Sequence, residues 1–157
     1  MTDTCLVLTQ QTNANAAQLW RCLTEPDLLK QWFAPAPVTV TEAQIDPTPG
    51  GGFRTVMEVP GMGTMDGGWG CVLLVDPHKR IVWTSALGPG FAPNPAPTDG
   101  AFAFTADITL TETATGCTYT ATVLHASAAD RTAHEQMGFF DGWGSAAQQL
   151  GALAVTL

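Results

Sequence analysis

The chain has 157 residues, of which 45% are hydrophobic and 13% are charged, and its formal net charge is −8. This length predicts one domain, spanning residues 1–157, with enough apolar side chains to bury a core, which argues against general disorder. The few Lys and Arg residues are scattered, so the composition disfavours binding to nucleic acid or to an anionic membrane surface.

Neither a membrane span nor an export signal is predicted. No apolar run approaches the roughly 20 residues needed to cross a bilayer, and the first residues lack a basic region followed by a long apolar one. The four cysteines are far apart in the sequence, and no two of them form a C-x-x-C motif. Because a zinc site needs closely paired ligands, a zinc site is not expected. We therefore expect a cytoplasmic protein with buried thiols and neither metal nor other cofactor.

The first quarter of the chain predicts one strand and two short helices. Residues 4–10 form an apolar strand pattern, and either Asn13 or Asn15 could cap a helix that runs to about Leu23. Pro26 is typical of the first turn of a second helix, which reaches Trp32 and Phe33.

From Pro37 onward the hydrophobic period changes from helical to two. Alternation predicts successive strands at residues 38–46, 53–59, 69–76, 80–86, 102–112 and 117–125. The connections are too short for crossover helices, so we expect an antiparallel meander with one wet face. Residues 88–100 are rich in Pro and Gly and predict an irregular surface loop, which could cover the mouth of a binding site.

The last segment predicts one long helix over residues 129–154. Ser127 and Asp130 have the spacing of a capping box. Apolar side chains cover an arc of roughly 200° on this helix, which is too wide for a helix resting on a flat surface. The sheet must therefore curve around it, giving an α+β architecture in which an antiparallel sheet of six to seven strands wraps the C-terminal helix.

Several segments in this order resemble a known family. They are Leu19-Trp20, Leu23 to Asp27, Gln31-Trp32-Phe33, Pro49 to Arg54, Asp76-Pro77, Arg80 to Thr84, His134 to Phe139, Asp141-Gly142-Trp143 and Gln148-Gln149-Leu150. Their order and spacing resemble the helix-grip fold of the START-like or SRPBCC superfamily and, within it, homologues of the activator of heat-shock protein 90 ATPase. The resemblance implies a cavity between the sheet and the long helix. Members of the superfamily hold lipids, polyketides, hormones or unknown small molecules in such a cavity, and a few of them are enzymes.

We expect the cavity to bind a small, mainly hydrophobic molecule, with the protein acting as a carrier or sensor. The residues predicted to line it are Phe53, Met57, Trp69, Trp83, Phe104, Ile108, Tyr119, His125, Met137, Phe140 and Trp143. Glycines at positions 138, 142, 144 and 151 lower the helix propensity of the final segment. Close backbone packing at some of these positions and unfilled space at others would explain why glycine is present.

Two other functions stay open at the level of the sequence. The family resemblance alone suggests an Hsp90-type co-chaperone or stress-response accessory protein. A polyketide cyclase-like or hydrolase-like enzyme would use His125 or Asp107 as its acid–base group, although the chain shows no catalytic cluster. An exposed sheet edge would also allow a homodimer.

Other tempting features have simpler interpretations. Gly50 to Gly52 lead into a strand rather than a helix, which favours a turn or bulge over a phosphate loop. Arg54 and Glu58 share the strand face opposite the apolar set and are expected in solvent. On one continuous helix His134 falls on the polar side with Asp141 and Ser145. Ser145 and His134 would then lie about 16 Å apart along the axis, whereas a nucleophile and its base must lie about 3 Å apart, so a catalytic triad is excluded.

Overall fold

An antiparallel sheet curls around the C-terminal helices in this computed structural model, which describes residues 2–98 and 100–157. The strands are β1 (Cys5–Thr12), β2 (Thr39–Ile45), β3 (Gly52–Val59), β4 (Gly63–Asp66), β5 (Gly70–Asp76), β6 (Arg80–Thr84), β7 (Leu87–Gly88), β8 (Ala92–Pro93), β9 (Phe104–Glu112) and β10 (Cys117–His125). The helices are α1 (Ala16–Thr24), α2 (Pro26–Trp32), α3 (Ala128–Gln136) and α4 (Phe139–Ala154). The predicted helix-grip architecture is confirmed.

Every strand pair of the main sheet is antiparallel. The strand order is β1-β10-β9-β6-β5-β3-β2, and β4 pairs with β3 beside this path. The register shifts between Val40 and Glu42 and between Val72 and Leu74, where irregularities of the bulge type bend a strand. These bends help the sheet to wrap around a helix instead of lying flat.

Alternation decides which side chains enter the core. On β10, Cys117, Tyr119, Ala121 and Val123 are all buried, while the intervening residues are more exposed. Asp107, on the opposite face of β9, forms an ion pair with Arg80 at 2.8 Å. The sheet thus has the predicted apolar inner face and wet outer face.

Local signals set the start of the first two helices. Of the two predicted caps, Asn15 is the one used, and it forms a reciprocal capping box with Gln18. Pro26 occupies the first turn of α2, where its missing N–H costs nothing. No helix within residues 2–98 and 100–157 is both long and apolar enough to cross a membrane.

The predicted single C-terminal helix is wrong in one respect, because it is two helices. The helix is interrupted at Gly138, whose φ of 92° lies in the left-handed region that favours glycine. Ser127 caps α3 through the backbone N–H of Asp130, as its spacing indicated. Helix α4 is then free to follow its own direction against the sheet.

Two small features depart from the predicted strands. The four-residue strand β4 was not predicted, and β7 and β8 form a short ribbon that begins one residue before the predicted surface loop. Asp99 of that loop lies outside the described residues. The amide of Asn94 donates to the carbonyls of Trp69 and Ser85, which ties the segment to the sheet end.

Candidate functional site

A cavity of about 330 Å³ lies between the inner face of the sheet and helix α4. Ring-bearing side chains from the end of α2, from four strands and from α4 form most of its wall. They are Trp32, Phe33, Phe53, Trp83, Phe104, Tyr119 and Trp143. This volume lies near the lower end of the range typical of small-molecule sites.

The rings contact one another and form a continuous aromatic wall. Phe53 of β3 and Trp83 of β6 are stacked, with centroids 4.6 Å apart and planes 12° apart. Trp83 then meets Phe104 at 5.7 Å, and Phe104 meets Trp143 of α4 at 6.0 Å. Offset and edge-on contacts of this kind stabilise ring pairs beyond their burial, so the wall has a defined shape.

The end of α2 is held in place by hydrogen bonds. The indole N–H of Trp32 donates to the Cys22 carbonyl at 2.8 Å. The side-chain amide of Gln149, on α4, donates to the carbonyls of Trp32 and Ala34 at 3.1 and 2.7 Å. These bonds join α1, α2 and α4, and they position Trp32 and the neighbouring Phe33 at the cavity.

The cavity wall carries no charged side chain among its described residues. Its polar side chains include Thr55, Thr84, Ser85 and Tyr119. Burial raises the pKa of the Tyr119 hydroxyl well above its ordinary value, so this phenol stays protonated at neutral pH. The site therefore favours a neutral, mostly apolar occupant.

Six of the eleven residues predicted to line the cavity do border it. They are Phe53, Met57, Trp83, Phe104, Tyr119 and Trp143. Ile108 borders a separate void of about 20 Å³ deeper in the core, which shares Phe53, Trp83 and Tyr119 with the main cavity. Strand alternation is the signal that placed most of these side chains together.

The other four predicted residues border neither the cavity nor the smaller void. Met137 and Phe140 are exposed, Met137 at 75%, because the break at Gly138 changes the helical phase on which their inward position was based. Trp69 lies just before β5 and is also exposed, with its ring beside Gly52 and Arg54. His125 is buried at the end of β10, outside the cavity wall.

His134 is buried, although it was predicted to lie on the polar side of one continuous helix. It is only 7% exposed, and its Nδ1 lies 2.9 Å from Nε2 of His125. Nδ1 of His125 in turn contacts the Thr4 carbonyl at 2.8 Å. The rings of Phe102, Phe104, Phe139 and Trp143 surround His134 at centroid distances of 5.0 to 6.2 Å. The prediction failed because it assumed one continuous helix.

Several wall residues were not predicted from the sequence. Thr55 shares the inward parity of Phe53 and Met57, so strand alternation could have found it. Trp32 and Phe33 were predicted at a helix end and noted in the family resemblance, but they were not predicted to line the cavity. Gly142 and Ala146 of α4 also border the cavity, and small residues on a helix give no sign of which space they leave open.

The candidate acid–base groups are not assembled at the cavity. Asp107 lies on the outer face with Arg80, and His125 is paired with His134. Arg54 is also on the outer face, as expected, although it pairs with Asp66 and Glu42 rather than with Glu58. The described residues contain no group of three His, Cys, Asp or Glu side chains suited to a metal ion.

The sequence matches the family described as activator of Hsp90 ATPase homolog 1-like protein over residues 13–154. The chain belongs to this family. The match includes every described residue that borders the cavity, whereas β1 (Cys5–Thr12) lies outside it. Among curated proteins, none matches this activator of Hsp90 ATPase homolog 1-like chain.

Solved structures share the fold of this family member. A crystal structure of a protein from Nitrosomonas europaea is 37% identical, with a TM-score of 0.92, and the match covers 99% of this chain and 97% of that one. A protein from Rhodobacter sphaeroides is 23% identical with a TM-score of 0.82, over 99% and 95% of the two chains. An AHSA1-like protein from Aeromonas hydrophila, solved by NMR, is 16% identical with a TM-score of 0.70, over 97% and 92%. At these lower identities the likeness concerns the fold alone.

Proposed function

We propose that this protein binds a small, mainly hydrophobic molecule in the cavity between sheet and α4, as a carrier or sensor. The observation that supports this is the cavity of about 330 Å³ with seven aromatic residues and no charged residue in its wall. A space of this kind is better filled by an apolar ligand than by water, because ordered water needs two to four polar partners.

Burial of apolar surface alone would give only weak binding. Covering about 300 Å² of ligand at roughly 25 cal/mol per Å² yields about 7–8 kcal/mol before association costs of at least about 4 kcal/mol. The remainder corresponds to roughly millimolar affinity. A useful carrier or sensor therefore needs hydrogen bonds to its ligand in addition to the aromatic wall.

The test is ligand detection with a variant that fills the cavity. Native mass spectrometry of freshly purified protein, followed by a thermal-shift screen of lipophilic compounds, should reveal a ligand. Gly142→Leu should abolish binding, since Gly142 borders the cavity and a Cβ built there meets no atom within 4 Å. Ser145→Leu places the same side chain at an exposed position of α4 and serves as the control.

Two outcomes would contradict the proposal. One is a protein that carries no ligand and shows no stabilisation by any compound in the screen. The other is binding that Gly142→Leu and Ser145→Leu leave equally intact, which would locate the ligand elsewhere.

Activation of an Hsp90-type ATPase is the second candidate, because the name of the matched family describes that activity. The family match supports it, and no surface of the described residues specifies a chaperone contact. The measurement is the turnover of a bacterial Hsp90 with and without this protein in micromolar excess. Unchanged turnover would remove this candidate.

A further inference from the structure

The polar groups in the cavity wall fall into two sets. The first set already has partners in the protein. The Thr84 hydroxyl donates to the Phe104 carbonyl at 3.2 Å and accepts from Ala86 N and Thr105 Oγ1 at 3.2 and 3.0 Å. The Ser85 hydroxyl donates to the Phe104 carbonyl and accepts from the Phe104 backbone N–H. Neither hydroxyl has its proton available for a ligand.

The second set consists of Thr55, Trp83 and Tyr119. Their side chains are buried, with exposures of 7%, 8% and 3%, yet their polar atoms make no hydrogen bond with the described residues. Among the described residues, every fully buried side-chain N or O atom has a hydrogen-bond partner. The unpartnered Oγ1 of Thr55, Nε1 of Trp83 and Oη of Tyr119 are therefore not fully buried, and they face open space. The cavity is open space that all three residues border.

These three groups have a common chemistry. An indole N–H only donates a hydrogen bond, and hydroxyl groups can both donate and accept. The phenol of Tyr119 keeps its proton because burial raises its pKa. A buried donor that loses water without gaining an acceptor carries a desolvation penalty. A pure hydrocarbon would impose this penalty, whereas a ligand with an oxygen acceptor would remove it.

Charge narrows the occupant further. No cationic side chain lies in the wall to pair with an anion, and the whole chain carries a formal charge of −8. A carboxylate or phosphate would therefore be desolvated without compensation. The same reasoning excludes an ammonium group, because no carboxylate lines the wall.

We propose that the ligand is an uncharged ring compound with a ketone, ether or similar oxygen acceptor, which receives hydrogen bonds from Tyr119, Trp83 or Thr55. This inference rests on the binding function proposed above and defines its ligand class. The inference predicts that such uncharged oxygen-bearing ring compounds bind more tightly than hydrocarbons, fatty acids or other anions of similar size.

The experiment compares three probes with closely related ring skeletons: fluorene, fluorenone and fluorenone carboxylate. Equilibrium dialysis measures the affinity of each probe for the full chain. We expect fluorenone to bind at least about tenfold more tightly than fluorene, which is the effect of one well-made hydrogen bond to a buried donor. The carboxylate should bind more weakly than fluorenone.

Tyr119→Phe and Trp83→Phe remove single donors and should each be compared with the native chain. At least one of them should reduce the preference for fluorenone over fluorene, measured as the ratio of the two affinities within the same variant. Thr120→Val, on the opposite face of β10 from Tyr119, is the matched control and should leave the preference unaltered.

The outcomes separate this inference from the function on which it rests. Equal affinities for fluorene and fluorenone would overturn the ligand class but leave hydrophobic binding intact. Tight binding of the carboxylate would likewise overturn it. If no probe binds and the broad lipophile screen is also empty, the binding function itself fails.

Discussion

At the scale of single residues, the histidine pair shows how a hydrogen-bond network determines protonation. The Thr4 carbonyl can only accept, so Nδ1 of His125 carries the proton. Nε2 of His125 lies 2.9 Å from Nδ1 of His134, at hydrogen-bond distance. Burial, and then the nearby charge of His125, lower the pKa of His134 from 6.5 to about 4. This contact links β10 to the C-terminal part of α3.

This pair predicts a loss of stability in mild acid. The unfolded chain protonates His134 near pH 6.5, whereas the folded chain resists protonation down to about pH 4. The free energy of unfolding should therefore fall as the pH drops across this interval, by about 3 kcal/mol at most. Urea denaturation at a series of pH values measures the slope.

The matched variants are His134→Phe and His78→Asn. The first removes the titrating group and should flatten the stability profile between pH 6.5 and 4. The second changes an exposed turn histidine with φ of 66°, a conformation that Asn tolerates, and should keep the native slope. An unchanged slope in His134→Phe would show that other groups cause the acid sensitivity.

At the scale of secondary structure, the glycines of the C-terminal segment have separate roles. Gly138 ends α3 and begins α4 through its left-handed backbone. At Gly142 a Cβ would meet no atom within 4 Å, whereas at Gly151 it would lie 3.2 Å from Cγ2 of Thr12. One position borders unfilled volume, and the other allows close approach of α4 to β1.

Alanine substitution should therefore have unequal effects at two of these positions. Gly142→Ala should raise the free energy of unfolding by up to about 1 kcal/mol, through helix propensity alone. Gly151→Ala should gain less or lose stability, because its methyl group presses on Thr12. Chemical denaturation of both variants beside the native chain gives the comparison. Equal gains would contradict the assigned packing at Gly151.

The sequence predicted the elements better than it predicted their breaks. Strong alternation in β9 and β10 made their strands and inward faces predictable. Strand β4 has only four residues and follows a glycine turn, too short for alternation to show. Gly138 resembled any other glycine of an apolar helix, because its positive φ depends on tertiary packing. The resulting change of helical phase exposed Met137 and Phe140 and buried His134.

At the scale of the whole molecule, ligand binding and folding should be coupled through the cavity. A ligand that binds only the folded chain stabilises it by about 2.7 kcal/mol at 100 times its dissociation constant. For a domain of this size that corresponds to a rise of roughly 5–10 °C in Tm. Differential scanning calorimetry at increasing ligand concentration tests this. A saturating ligand that leaves Tm unchanged would argue against binding in the core.

The aromatic wall also makes the molecule its own optical sensor. Three of its five tryptophans, Trp32, Trp83 and Trp143, border the cavity. Emission from these indoles responds to the polarity of the space beside them, so entry of a guest should alter the intrinsic fluorescence without any attached dye. Replacing Trp69, the exposed indole, with Phe would lower the background and sharpen that signal.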